Sequence, residues 1–249
     1  MTTLGVIPAR LAATRFPEKP LVAIDGIPLI IHVLRAARRA TLLDRVVVAT
    51  PDAEIVACVE GEGGEAVVTS AEHRSGTDRV AEAARLLGAQ DVVANIQGDL
   101  PLLTTAMVDA LVTPFGAPDP PQMTTVAAPL APADMDDPNT VKVICDRNDD
   151  ALYFSRAPIP HPRNDGPPLA RHHIGLYAFT AAFLQHVASL EPTPLEQREG
   201  LEQLRVLEHG HRIRVGSCDG AVPEVNVPED VALVESYIAR RAQEGDDRD

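Results

Sequence analysis

Apolar and polar positions fall into short alternating blocks along the first hundred residues. Compact apolar runs occur at residues 4–8 (LGVIP), 45–50 (RVVVAT), 65–69 (EAVVT) and 91–96 (DVVANI). Runs of that length, rich in Val and Ile, read as buried strands. Between them the spacing becomes helical. Residues 28–39 (PLIIHVLRAARR) place Leu29, Ile30, Val33, Leu34 and Ala37 on one face, with Pro28 suited to a first turn. Residues 53–60 read as a short helix. Residues 77–87 read as a longer one, with Gly88 as its cap, and 104–112 as a fourth. Strands separated by helices of about ten residues imply βαβ units and a mostly parallel sheet. In such sheets ligands bind beyond the carboxyl ends of the strands. The loops at 9–19, 50–53, 70–76 and 97–103 are therefore the places to look for chemistry.

The pattern changes after residue 113. Residues 114–122 (PFGAPDPPQ) and 157–170 are Pro-rich and read as loop. Strands are expected at 123–128, 141–145, 173–179 and 213–215. A helix is expected at 195–208, and a final amphipathic helix at 229–242. No internal repeat or second independent core is visible. The expectation is one domain over residues 1–242, with an insertion at about 114–175 and a disordered, polar tail at 243–249.

Composition narrows the function classes. Lys and Arg total 22 and Asp and Glu 36, so the formal net charge is 22 − 36 = −14. That balance excludes a protein that coats nucleic acid, which needs a basic surface. No run approaches the ~18–20 apolar residues of a membrane span. The opening residues lack the features of a secretion signal. Three well-separated cysteines, Cys58, Cys145 and Cys218, fit a reducing cytoplasm better than a disulfide framework. Only Lys19 and Lys142 are lysines, so 20 of the 22 basic residues are Arg.

Two loops carry candidate chemistry. PARLAATRFPEKP, after the first strand, sets Arg10, Arg15 and Lys19 within ten residues of one another. Guanidinium groups grip phosphate oxygens bidentately and an ammonium acts as a point charge. This is a clamp for a polyphosphate, or else a solvated surface loop. It is neither a Walker A loop nor a dinucleotide fingerprint. NIQGDLP, after the fourth strand, ends in Asp99. A carboxylate there suits Mg²⁺, which takes one or two carboxylates plus substrate phosphates. The bland reading is an Asp in a turn or at a helix cap.

These loops, together with AEHRSGTDRVAE (71–82), NTVKVICDRNDDALYFSRAPIP (139–160), HIGLYAF (173–179), PTPLEQREGLEQLRVLEHG (193–210) and VNVPEDV (225–231), resemble the 3-deoxy-manno-octulosonate cytidylyltransferases, the CMP-KDO synthetases. The likeness is collinear over about residues 4–235. It implies a three-layer α/β/α, Rossmann-like nucleotidyltransferase fold and a homodimer. It also implies Mg²⁺-dependent transfer of CMP from CTP to a small acidic sugar. By resemblance Arg10, Lys19 and Asp99 are the catalytic set. Ser75, Gly76, Thr77 and Gln97 join Arg10, Arg15 and Lys19 around the nucleotide. Arg156, His173, Tyr177, Glu202 and Gln203 would bind the acceptor, and Asp99 and Asn226 would hold the metal. The insertion would carry acceptor binding and dimerisation.

The sequence also departs from the family. Ala13 stands where the family usually has Ser, and Leu100 where it has Glu. Arg74 replaces an uncharged residue. Asn226 replaces an Asp that resembles the second metal ligand, and an amide oxygen brings no charge. These departures leave open a phosphonate acceptor, such as phosphonoformate in an antibiotic pathway. They also leave open a homologue that binds nucleotide without turning it over.

Overall fold

The computed structural model describes residues 1–12, 16–164 and 166–244, with the backbone alone for 242–244. The chain forms two compact units, one from residues 1–109 and 222–249, the other from 110–221.

The first unit is built on parallel strands. Strand β1 (Thr3–Pro8) leads through a single 3₁₀ turn at Lys19–Leu21 to a small hairpin of β2 (Ala23–Ile24) and β3 (Ile27–Pro28). Helix α1 (Leu29–Arg39) follows, then β4 (Arg45–Thr50), α2 (Ala53–Gly61), β5 (Ala66–Val68), α3 (Gly76–Leu86) and β6 (Val92–Asn95). The sheet order is β6-β1-β4-β5, with parallel pairing at β1–β4, β1–β6 and β4–β5. Val6, Ile7, Val47, Val48 and Val93 are fully buried, as strands covered on both faces require.

The order fixes the layering. Crossovers between parallel strands are right-handed. The steps β1→β4 and β4→β5 move one way across the sheet, and β5→β6 moves back. Helices α1 and α2 therefore share one face and touch each other, while α3 covers β1, β4 and β6 from the opposite face. The direction of winding reverses between β1 and β6, and that crevice is where such folds bind ligands. Helix α4 (Thr105–Val112) closes this part of the chain.

The second unit has a mixed sheet. Strands β7 (Met123–Pro129), β8 (Lys142–Cys145), β9 (Ala151–Ser155) and β10 (Arg171–Thr180) are followed by α5 (Ala181–Ser189), α6 (Pro194–Glu199), α7 (Gln203–Glu208) and β11 (Arg214–Ser217). Strand β7 lies between β10, antiparallel, and β11, parallel, and β8 pairs with both β10 and β9. Phe154, Leu176, Leu184, Leu204 and Ile213 are fully buried here. The chain then returns to the first unit, where Val225 N donates to Asp99 O at 3.0 Å, and finishes in α8 (Asp230–Glu244).

The helix expected over 195–208 is two helices. Gly200 adopts φ +65°, and both its N–H and that of Leu201 donate to Glu196 O, which ends α6. The break leaves Glu202 exposed and buries Gln203. Helix α5 and the β2–β3 hairpin were not anticipated. The last five residues of the expected tail lie outside the described residues.

Lys142, one of the two lysines, is fully buried. Its ammonium donates to the carbonyls of Asp137, Thr140 and Arg156 at 2.9, 2.7 and 2.6 Å. Burial pushes its pKa down, and the nearby acidic charges of Asp137 and Asp136 oppose that shift. The residue ties the 137–140 loop to the backbone that carries Arg156. Replacing Lys142 with Met strands three carbonyls, at about 1–3 kcal/mol for each one left unsatisfied. The expected result in urea unfolding is a loss of about 3 kcal/mol, with near-wild-type stability arguing that these carbonyls find other donors.

Candidate active site

Three loops of the first unit converge on Pro8, the last residue of β1. A Cβ on Gly98 would stand 3.0 Å from Pro8 O, and one on Gly76 would stand 3.4 Å from Pro8 Cγ. Gly98 thus lets the loop after β6 lie directly against the end of β1. The loop after β1 is pinned at its start, where Leu11 N donates to Asp52 Oδ2 at 2.7 Å. It closes on itself where Glu18 N donates to Leu11 O at 3.2 Å. Its tip, including Ala13 and the expected phosphate ligand Arg15, lies outside the described residues.

The closed loop delivers Lys19 to the crevice. Lys19 Nζ donates to Asp99 Oδ2 at 2.9 Å and to Val225 O at 3.0 Å. Asp99 is therefore neither a helix cap nor a free turn residue. It accepts from a cation that arrives from 80 residues away. Asn226 Nδ2 donates to Glu224 Oε2 at 3.3 Å. Glu224 is half-buried, and its carboxyl is pushed up to about 7, first by burial and then by the charge of Asp99, with Asn226 and Lys19 opposing. Asp230 is engaged elsewhere, because it accepts from the backbone N–H of Asn226 and Val227 at 2.7 and 2.9 Å.

A polar pocket opens beside this cluster, lined by Pro8, Ala9, Arg10, His73, Arg74, Ser75, Gly76 and Arg79. Helix α3 begins at its wall. Ser75 Oγ accepts from Asp78 N at 3.2 Å, and Asp78 Oδ2 accepts from Ser75 N at 3.3 Å, a reciprocal capping box. The strand-to-helix loop is braced by Glu82, which accepts from Ser70 N at 2.7 Å and pairs with His73 at 2.6 Å. Beneath it Arg79 is buried, with Nη1 donating to Thr69 Oγ1 at 2.7 Å and Ser70 O at 3.0 Å. Burial, and then the charge of Arg10, push the Arg79 pKa down. Exposed Arg10 and Arg74, and the N-terminus of α3, make this pocket electropositive in an acidic protein, as anion binding requires. Thr77 is buried in the first turn of α3, and Gln97 Nε2 donates to Asn95 Oδ1 at 3.3 Å. Arg10, Lys19, Ser75, Gly76, Thr77, Gln97, Asp99 and Asn226 thus all belong to the first unit, around the ends of β1 and β6.

The expected acceptor residues all fall in the second unit. His173 is buried, with Nε2 2.9 Å from Thr125 Oγ1 and its ring against Phe154 and Tyr177. Burial, then the neighbouring His172, push its pKa down to about 3. The imidazole is neutral at physiological pH and a poor general base. Half-exposed Tyr177 continues the ring stack to Phe179. Arg156 has Nε on Glu199 O and Nη1 on Pro138 O, both at 2.8 Å, so most of its fork positions backbone. Gln203 is buried with Nε2 lacking a partner among the described residues, a donor ready for an anionic ligand. Glu202 is exposed beside it.

The sequence reading overlooked Glu224 and Arg79. The signal for Arg79 was available, since it lies on the buried face of a periodic helix where a charge is out of place. Leu100, a family departure, is 1% exposed and belongs to the core. Among the described residues no three His, Cys, Asp or Glu side chains gather as a self-sufficient metal site. The oxygen donors present, Asp99, Glu224 and Asn226, fit Mg²⁺, which binds few protein ligands and relies on water and phosphate for the rest.

A family model for cytidylyltransferases matches residues 4–213. A 3-deoxy-manno-octulosonate cytidylyltransferase of Acaryochloris marina is 48% identical over 242 residues, covering 96% of this chain and 98% of that protein. One from an Anaeromyxobacter species is 50% identical, covering 96% and 98%. The solved structure of a CMP:2-keto-3-deoxy-manno-octonic acid synthetase complexed with CTP superposes with a TM-score of 0.92 at 35% identity, covering 97% of this chain and all of that one. The three-layer nucleotidyltransferase fold expected from the resemblance is the fold found. A cytidylyltransferase of Leptospira borgpetersenii shares the fold at 16% identity, with a TM-score of 0.64.

The neutral, buried His173 makes stability depend on pH. Its folded pKa of about 3 lies below the unfolded value of about 6.5. Its contribution is complete above pH 6.5 and is lost as pH falls toward 3. Between pH 7 and pH 5 the loss is about 2 kcal/mol. His173→Gln, which keeps a hydrogen-bonding side chain beside Thr125, should remove that increment. Urea unfolding of both proteins at the two pH values checks it, and equal pH slopes would count against a neutral His173.

Proposed function

The chain belongs to the cytidylyltransferase family, and we propose that it is an enzyme transferring CMP from CTP to 3-deoxy-manno-octulosonate with release of pyrophosphate. The observation that carries this reading is the constellation at the β1 and β6 termini. Arg10 and the α3 N-terminus face one polar pocket, and Lys19 is held on Asp99 beside it. The family match over residues 4–213 and two curated relatives with the same acceptor support the same assignment. Supporting the acceptor further is the CTP-complexed synthetase, at 35% identity over 97% of this chain.

In the reaction an acceptor oxygen attacks the α-phosphorus of CTP, the bond to the β-phosphate oxygen breaks, and pyrophosphate departs. Little covalent work falls to the protein, so positioning and charge stabilisation supply the acceleration. Arg10 sits where it can grip phosphate oxygens, and Arg74 adds a second guanidinium at the same wall. The capped N-terminus of α3 presents N–H groups to the anion. Lys19 neutralises Asp99 and fixes its orientation through the second bond to Val225 O. Asp99 would hold Mg²⁺, with Asn226 supplying an oxygen. When bound, the ion would neutralise phosphate charge and orient the attack. In the second unit, half-exposed Tyr177 offers an uncharged ring backed by the buried, neutral His173, and Gln203 offers an amide N–H without a partner among the described residues. These suit a sugar acid with a carboxylate to be oriented. His173 does not serve as the base.

Pyrophosphate release from CTP and 3-deoxy-manno-octulosonate tests the reading directly. Asp99→Asn should lower kcat by about two orders of magnitude or more, with the fold intact by circular dichroism. Near-normal turnover in that variant defeats the assignment of Asp99. Arg10→Ala should raise KM for CTP about tenfold, consistent with one charge-assisted contact of ~1.4 kcal/mol. Release with a phosphonate acceptor and none with the sugar acid would reject the acceptor.

A further inference from the structure

Asn226 poses a problem for the site. The family resemblance puts an Asp there, and this chain has an amide. With Asp99 alone the donor set would bring one negative charge toward a divalent cation. The structure holds a second carboxylate close by. Val225 is stitched to Asp99 on both sides of its peptide, because its N–H donates to Asp99 O at 3.0 Å and its carbonyl accepts from Lys19, which also binds the Asp99 carboxylate. Residues 224 and 226 flank that anchored residue. Their side chains lie on one side, since Asn226 Nδ2 donates to Glu224 Oε2 at 3.3 Å. The other nearby acid, Asp230, is engaged by two backbone N–H groups at the start of α8.

We infer that Glu224 supplies the second anionic ligand for Mg²⁺, replacing from two positions upstream the carboxylate that Asn226 lacks. The inference rests on the reading of Asp99 as a metal ligand. Mg²⁺ prefers hard carboxylate oxygens, and Glu224 carries one on the segment whose backbone is tied to Asp99 through Val225. The Asn226 amide has a role consistent with this. Its N–H₂ steadies Glu224 while its oxygen remains available as a neutral ligand.

Binding of Mn²⁺ to the full chain, followed by loss of the free-ion electron paramagnetic resonance signal, tests the assignment without turnover. Glu224→Gln should weaken Mn²⁺ binding at least about tenfold, as should Asp99→Asn. Glu224→Gln combined with Asn226→Asp should recover affinity to within about threefold of the wild-type chain, about 0.7 kcal/mol. Glu224→Asp keeps the charge and shortens the reach. It substitutes for Glu224→Gln if that variant fails to fold, and its affinity should also fall. Loss of binding in Asp99→Asn but none in the Glu224 variants overturns this inference and leaves the Asp99 reading standing. Unchanged binding in both overturns the two together. A double variant as weak as Glu224→Gln overturns the equivalence of positions 224 and 226.

Discussion

The Lys19 ammonium is the tie on which the site depends. It accepts no hydrogen bond and donates to two oxygens, one on the Asp99 carboxylate and one on the Val225 carbonyl. Those oxygens belong to the loop after β6 and to the segment that returns before α8. Lys19 itself ends the loop after β1. Three pieces of chain, separated by up to 206 residues, are thereby held at the reversal of the sheet. The pair is about four-fifths shielded from water, so it is stronger than a surface ion pair and less exposed to screening by salt. A divalent ion or a polyphosphate arriving here meets a preset arrangement of charge.

Much of the fold could be read from periodicity alone. The strand at 45–50 is found at the same boundaries, and the helices around 28–39 and 77–87 are displaced by a single residue or less at each end. Both helices bury one apolar face, so the 3.6-residue rhythm is undiluted. The second unit was harder to read. Residues 195–208 carry a helical pattern throughout, yet Gly200 turns the chain because its left-handed backbone costs glycine little. Helix α5 escaped because it is only nine residues long, so its buried Ala181, Phe183, Leu184 and Val187 repeat for barely two turns. The β2–β3 hairpin has two residues per strand, too few to show alternation.

The chemistry divided in the same way. The places of Arg10, Lys19 and Asp99 were legible because each follows a buried strand, in the loops that border the crevice. The placement of Glu224 was not, because its segment is tied to Asp99, 125 positions away, and no local rhythm reports that approach. Lys142 shows the opposite failure. It is one of only two lysines, as Lys19 is, yet it is a buried donor to three carbonyls and nothing in the sequence separates the two.

The burial of Lys142 has a consequence for the chain as a chemical object. Of two lysines in 249 residues, one is sealed in the second unit and the other lies in the crevice of the first. The protein therefore presents to solvent a single side-chain amine, and that amine lies in the candidate site. Acylating or reductively alkylating reagents, which scatter over most enzyme surfaces, have one lysine address here. Its ammonium is already engaged by the Asp99 carboxylate and the Val225 carbonyl. A label placed at Lys19 would report on the occupancy of the site it came from.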